Sequence, residues 1–264
     1  MRQAMSIDVN PNWWKYIFDH VYLQTDSRSV CNEDLTRKEI DIIHDYLPKS
    51  YDFPILDLCG GQGRHAIELS KRGYKNVTVY DYSVFLLKQG IKQAARSQNS
   101  PWFIQGDARQ LCFKNNTYAV AMILGSAFGY FIQERENQKL LLEAFRVLIP
   151  EGRLIMDIPN RDYVVHHFKP FITHRNGSIT INRKRSLHDD VIYSQETVVC
   201  DQKGCIRNQT FCTRLYSKNK IKDLLLKTGF ATVTFNENYI PREKKGDYGS
   251  MTNRLMIQAE KGHE

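Results

Sequence analysis

An α/β fold is what this 264-residue chain predicts: a doubly wound sheet of seven strands, mostly parallel, that closes in an antiparallel hairpin. Three observations carry it. Short apolar, β-branched runs alternate with amphipathic helical patterns through the first 160 positions. A glycine turn joins the first such run to a helix at Ile55-Leu56-Asp57-Leu58-Cys59-Gly60-Gly61-Gln62-Gly63-Arg64-His65-Ala66. A late β-rich stretch with its own turn signals is followed by one more helix and two strands.

The elements follow in order. Trp13 to Tyr22 reads as a helix burying Trp14, Ile17, Phe18 and Val21, because aromatic stripes at this spacing are usually core. Leu35, Ile40, Ile43 and Leu47 mark a helix before the first strand, and Ile67 to Arg72 the helix after the glycine turn. Asn76 to Ser83 is a β-branched second strand, and Phe85, Leu86, Ile91 and Ala94 mark the next helix. Phe103 to Gln105 and Tyr118 to Leu124 are strands three and four. Glu134 to Leu148 is an amphipathic helix ended by Pro150 and Gly152, and Leu154 to Ile158 is the fifth strand. From Asp162 to Tyr216 short β pieces with turns at Asn176-Gly177 and Lys203-Gly204 read as a small antiparallel β insertion. Ser217 caps a last helix that runs to Gly229, and Ala231 to Phe235 with Leu255 to Ile257 form the closing hairpin.

Composition excludes several classes. With 42% hydrophobic and 25% charged residues, the chain is an ordinary globular protein. Apolar runs stop short of the roughly 18 residues of a membrane span, and Met1 to Asn12 lacks a signal-peptide core, so no membrane partner and a cytoplasmic address are expected. The six cysteines are scattered, with Cys59 and Cys112 in or beside core elements, which predicts reduced thiols. Cys200, Cys205 and Cys212 with His188 lack the close pairing of zinc ligands, so no metal is expected. The net charge of +8 would suit nucleic acid, but the clusters Lys71-Arg72, Arg183-Lys184-Arg185 and Arg242 with Lys244 and Lys245 are short, separated and mixed with acids. Solvated faces are the expected meaning.

The glycine turn admits two readings. Gly61-Gln62-Gly63-Arg64-His65-Ala66 fits the dinucleotide spacing, with Asp81 where a ribose-binding acid would stand. Counting Asp57 gives Asp-x-Cys-Gly-Gly-x-Gly, in which a carboxylate beside the turn would repel a pyrophosphate. An ammonium and a sulfonium would instead welcome it. With these residues, and with Asp81 ending the second strand and Phe103-Ile104-Gln105-Gly106-Asp107-Ala108 ending the third, the chain resembles the class I S-adenosylmethionine-dependent methyltransferases.

The resemblance implies a Rossmann-like core over 51–160, an N-terminal helical lid over 1–50, a substrate-side β insertion over 161–216 and a core-completing end over 217–264. It implies S-adenosyl-L-methionine as cofactor and S-adenosyl-L-homocysteine as product. Gly60, Gly61 and Gly63 would form the cradle, Asp57 or Arg64 would meet the methionine end, Asp81 would hold the ribose with Tyr82 beside it, and Asp107 and Ala108 would meet the adenine. Gly125 and Ser126 would stand at the mouth. Cys59 replaces the usual first glycine, which predicts ordinary backbone torsions there and a thiol facing the methionine end or the strand behind it.

In a branch of bacterial small-molecule methyltransferases a Trp-Trp-x-x-x-Phe segment folds over the cofactor, as Trp13-Trp14 and Phe18 would here, with Tyr16 and Tyr22 as the tyrosines facing it. The same branch carries Ser-Phe-Gly-Tyr-Phe, where this chain reads Ser126-Ala127-Phe128-Gly129-Tyr130-Phe131 with a residue inserted. Arg214 and Tyr216 match its Arg-Leu-Tyr element at the substrate pocket. Trp14, Phe18, Tyr22, Phe128, Asn160, Arg214 and Tyr216 are therefore the acceptor-side candidates.

Methyl transfer from an activated donor needs alignment and dryness more than covalent help. A base serves only a protonated acceptor, and candidates at strand ends are Tyr130, Asp157, His166 and His167. Two adjacent histidines diverge, so at least one of them is expected at the surface. The Asn/Asp-Pro-Pro-Tyr element of amino-methyltransferases acting on DNA is absent after the fourth strand, which favours a small or peptide-like acceptor taking the methyl on O, N or C. The alternatives are a tRNA or rRNA methyltransferase, an NAD(P)-dependent oxidoreductase using the Tyr-x-x-x-Lys spacing at Tyr216 and Lys220, and a cofactor-binding protein without catalysis. Oligomeric state has no mark in the chain.

Overall fold

The computed structural model describes residues 7–95, 99–236, 239, 241 and 249–263. The N-terminal segment is a 3-10 turn, Trp13–Lys15, and two short helices, α1 (His20–Thr25) and α2 (Ser27–Val30). A single helix across the aromatic run does not form. Asp19 Oδ1 accepts from the N–H groups of Val21 and Tyr22 at 2.8 and 3.1 Å, and so starts a new helix in the middle of it.

The alternation expected from the sequence follows: α3 (Glu33–His44), β1 (Ile55–Leu58), α4 (Arg64–Lys71), β2 (Val77–Asp81), α5 (Val84–Ala94), β3 (Trp102–Gln105), β4 (Tyr118–Ile123), α6 (Glu134–Val147) and β5 (Leu148–Pro159). A helix not foreseen, α7 (Arg161–His166), precedes the insertion, which is a four-stranded antiparallel sheet of β6 (Phe171–Asn176), β7 (Ile179–His188), β8 (Val191–Cys200) and β9 (Gly204–Arg214). The last helix α8 (Lys218–Thr228), β10 (Phe230–Asn236) and β11 (Arg254–Lys261) complete the chain. The main sheet has seven strands in the order β10-β11-β5-β4-β1-β2-β3, with β11 antiparallel to both neighbours. Strand order reverses at β1, which lies between β2 and β4, and ligands of open α/β sheets bind at such a switch point.

Side-chain alternation divides the core into two layers. Leu56 and Leu58 of β1 and Ala121 and Ile123 of β4 pack with Leu141, Ala144 and Leu225 of α6 and α8. Ile55, Val120 and Met122 pack with Ile40 and Ile43 of α3 and Leu69 of α4. Each of the Leu, Ile, Val and Met side chains among them contributes about 1.5–3 kcal/mol by leaving water. Of the segment before β1, α3 therefore belongs to the sandwich, while Val9, Trp13, Trp14 and Ile17 form a separate cluster with Val191 of β8 and Cys212 of β9.

No helix among the described residues is long and apolar enough to cross a membrane, and no group of potential metal ligands occurs among them. All six cysteines are free, and Cys112 is exposed at the edge of the core beside Tyr80. Arg72 pairs with Glu68 and Asp41, and Arg183 is partly buried between Asp26 and Glu196. Arg242, Lys244 and Lys245 lie outside the described residues.

One polar network passes through the layers. Glu39 of α3 takes Arg64, His65 and Arg254, and Arg254 also donates to Asp157 of β5 at 2.6 Å. Burial alone would raise the Glu39 carboxyl, but Arg64, Arg254 and His65 together hold it well below its ordinary range. Arg254→Met would leave two buried carboxylates without their shared cation, and urea denaturation should record a loss of about 3–5 kcal/mol. A loss below about 1 kcal/mol would show that the network is replaceable by packing.

Candidate functional site

The carboxyl ends of β1, β2, β3 and β4 converge on a cavity of about 1040 Å³, counting space open to solvent. Cys59, Gly60, Gly61 and Gln62 line one side, Asp81 and Tyr82 the next, then Gly106, Asp107 and Ala108, and finally Gly125 and Ala127. Gly60 is enforced by contact, since a Cβ there would lie 2.7 Å from Asp57 Cγ. Cys59 corrects the sequence reading: its φ is +57°, in the left-handed region, at a cost on the order of 1 kcal/mol. The chain must turn at once after β1 while the Cys59 N–H still donates to Tyr80 O at 2.8 Å, and this leaves no room for a relaxed residue.

Four charged groups shape the cavity. Asp81 accepts from Gly61 N on one oxygen and from Ser83 N on the other, each at 2.8 Å. Burial, with some repulsion from Asp57, pushes its carboxyl up to about 6 despite these two bonds. Asp57, fully buried directly behind Gly60, has no side-chain hydrogen-bond partner on either carboxylate oxygen, and the Ala66 amide is the backbone group directed at it. Burial raises it, and His65 and Arg64 offset part of the rise. Arg64 is anchored through Nη1 to Thr36 Oγ1 at 2.9 Å and to Glu39, while its buried Nη2 has no partner. One anion and one cation are thus left unsatisfied at this end. At the other end, Asp107 is gripped by Arg109, whose Nη2 donates at 2.6 Å. Burial would raise Asp107, and Arg109 brings it below its ordinary range.

The N-terminal segment forms the roof. Trp14, Phe18 and Tyr22 border the cavity, and Ser83 Oγ donates to Phe18 O at 2.6 Å while Trp13 Nε1 donates to Tyr130 O at 3.2 Å. Beyond Phe18, Tyr22 and Tyr130 opens a second chamber of similar volume, about 1040 Å³, walled by Ile192, Ser194, Phe211 and Thr213 of the insertion. Its charged walls are paired. Arg183 stands between Asp26 at 2.9 Å and Glu196 at 2.7 Å, and Arg207 reaches Glu196, Asp19 and Ile17 O. These bonds tie the N-terminal segment to the insertion.

Several candidates lie elsewhere. Tyr16 is 64% exposed and borders neither chamber, because the break at Asp19 turns it outward and puts Tyr22 over the cavity instead. His166 and His167 are exposed on α7 and border neither chamber, with His167 stacked on Tyr163 at 4.1 Å. Asp157 is buried and accepts from Gly125 N at 3.0 Å, Ser126 N at 2.6 Å, Tyr239 and Arg254, so it shapes the turn after β4 rather than taking protons. Ser126 is buried with it, outside the cavity lining. Asn160 caps α7 by accepting from Tyr163 N. Phe128 and Tyr216 pack on each other at 5.3 Å inside the core, and Arg214 donates to Ile132 O at 2.6 Å as a latch on the loop after β4. With Tyr216 buried and Lys220 paired to Glu134 at 2.9 Å, the Tyr-x-x-x-Lys spacing forms no catalytic pair. Sequence reasoning missed Arg109, Glu39 and Arg254. Arg109 was visible beside the Gly-Asp-Ala turn, whereas the other two are joined to the site only by folding.

Asp81 sets a pH test. Its carboxyl is raised in the folded chain, so the folded state holds the proton more tightly than the unfolded state, and that contribution, full below pH 4, is lost as pH rises through about 6. Asp81→Asn carries no such charge. The stability of the variant relative to the native protein should rise by on the order of 3 kcal/mol from pH 4 to pH 7 in denaturation series. A difference that stays flat with pH would contradict the buried, ionised carboxylate.

Comparison with known proteins agrees with this geometry. Residues 55–152 match a family model described as a methyltransferase domain. A ubiquinone/menaquinone biosynthesis C-methyltransferase of Ruegeria sp. is 36% identical over 119 residues, 44% of this chain and 46% of that protein. A glycine/sarcosine N-methyltransferase of Aphanothece halophytica is 27% identical over 191 residues, 70% of each chain. The chain spans under half the length of the first curated relatives it matches. An S-adenosylmethionine-dependent methyltransferase from Clostridium acetobutylicum superposes with a TM-score of 0.71 at 17% identity, covering 92% of this chain and 97% of that one. The CcbJ methyltransferase from Streptomyces caelestis gives 0.72 at 14% identity, over 91% and 96%. Residues 55–152 thus match a methyltransferase domain, and the chain has the fold of the class I S-adenosylmethionine-dependent methyltransferases.

Proposed function

We propose that this protein transfers the methyl group of S-adenosylmethionine to a small molecule, on oxygen, nitrogen or carbon, in the chamber between the N-terminal segment and the β insertion. The observation that carries this is the meeting of two chambers at Phe18, Tyr22 and Tyr130, one ringed by strand ends and the other closed by the insertion. Bound S-adenosylmethionine supplies an electrophilic methyl group on a sulfonium. The residues present fit that molecule. Asp57 and the Arg64 Nη2 are a buried anion and a buried cationic donor without side-chain partners, suited to an ammonium and a carboxylate, and Gly60 keeps the wall in front of Asp57 thin. Asp81 presents a carboxylate to a ribose diol, and the Asp107 oxygens accept from an adenine amine.

The phenols of Tyr22 and Tyr130 are the protonable side chains that border both chambers. Burial pushes both well above the ordinary tyrosine range, so they remain neutral, hydrogen-bond to the acceptor and exclude water rather than withdraw protons. The acceptor then enters with a lone pair or enolate already available, and catalysis is alignment. Curated relatives named as C- and N-methyltransferases of small molecules support this size of acceptor. A cytoplasmic setting is part of the proposal, supported by the free cysteines. The internal pairing of Arg72, Arg183 and Arg207 argues against RNA as the acceptor.

Calorimetry with S-adenosylhomocysteine tests the donor site. The native protein should bind it, Asp81→Ala should weaken binding about 10- to 100-fold, and native affinity should fall below pH 6 as Asp81 takes a proton. No binding to the native protein, or equal binding to the variant, sinks the assignment.

A further inference from the structure

Arg109 does not border either chamber, yet three kinds of contact converge on its guanidinium. Nε donates to Asp107 Oδ1 at 3.0 Å and Nη2 to Oδ2 at 2.6 Å, the planar fork that arginine alone makes with a carboxylate. Nη1 donates to Glu136 Oε2 of α6 at 2.6 Å. The guanidinium carbon also lies 5.0 Å from the centre of the Trp14 ring and 4.6 Å from that of Phe131, two rings that meet edge-on at 5.6 Å. Trp14 is part of the roof of the first chamber and packs edge-on against Tyr82 at 4.7 Å.

The bonding at Asp107 is uneven. Among the described residues Oδ1 takes both the backbone N–H and Nε of Arg109, each at 3.0 Å, whereas Oδ2 takes only Nη2 and keeps a lone pair open. The fork therefore fixes which oxygen faces a ligand and in what plane. The same guanidinium is the polar floor on which Trp14 rests.

We propose that Arg109 is a positioning residue that couples recognition of the adenine amine, through Asp107, to closure of the N-terminal segment, through Trp14. This rests on the reading of the first chamber as the S-adenosylmethionine site. When the segment lifts, the guanidinium exchanges its Trp14 cover for water, keeping its contact with Phe131, and the Asp107 carboxylate is held less firmly in its plane. By linkage, a ligand that satisfies Asp107 stabilises the closed segment, and a ligand that does not leaves it looser.

The test compares S-adenosylhomocysteine with S-inosylhomocysteine, whose exocyclic carbonyl oxygen replaces the amine and meets the carboxylate acceptor to acceptor. Calorimetry on the native protein should favour the adenosine ligand by about tenfold or more. Arg109→Lys should bring the two within about threefold, and Glu136→Gln, which touches neither chamber, should shift the ratio part of the way. Hydrogen exchange across residues 13–18 with saturating S-adenosylhomocysteine should show protection in the native protein and less in Arg109→Lys. A merely structural arginine would weaken both ligands alike, and a ratio equal to the native one in both variants overturns the coupling. Should Arg109→Lys fail to fold, the Glu136→Gln ratio decides alone. Absence of S-adenosylhomocysteine binding to the native protein would instead remove the cofactor reading itself.

Discussion

The charge network of Glu39, Arg254, Asp157 and Arg64 is the interaction on which the site depends. Buried charges are stable only when paired and hydrogen-bonded, so each member fixes the next. Glu39 holds Arg64 at the end of the cavity, Arg254 balances Glu39 and Asp157, and Asp157 holds the amides of Gly125 and Ser126 that form the turn after β4. The helix before the sheet, the turn at the switch point and the last strand are thus set by one electrostatic balance. The apolar layers supply most of the stability, while this network supplies the register of the polar groups that face the ligand.

The part of the fold that repeats along the chain was legible in the sequence. Alternating apolar runs located all seven strands of the main sheet to within a few residues, except β5, which extends from Leu148 rather than Leu154 because it leaves α6 with no intervening loop. The glycine turn and the acids Asp81 and Asp107 were legible because backbone curvature and strand ends are local. What stayed hidden was set by long-range packing. The direction of Tyr16 follows from the Asp19 cap three residues later, and the use of Asp157 as an amide acceptor follows from Arg254, almost a hundred residues away. His166 and His167 looked suited to catalysis by residue type and position after a strand. An unforeseen helix capped by Asn160 carries them to the surface.

The second chamber is built differently from the first. Strand ends of a packed sheet define the first chamber, whereas the second is held between a short N-terminal segment and an antiparallel sheet by side-chain ion pairs, Asp26 with Arg183 and Asp19 with Arg207. Local openings draw on the least-packed elements. The first chamber is therefore rigid by construction, and the second is free to adjust.

The reach of Arg254 also bears on how the molecule matures. Its bond to Glu39 spans 215 positions, and that to Asp157 spans 97. Contacts of such separation cost the most loop entropy and form late. A growing chain can lay down β1 to β4 and the glycine turn while Glu39 and Asp157 are still without their cation. The ligand-facing end of the cavity takes its final shape only when the last strand docks, so competence for chemistry and completion of the sheet arrive together.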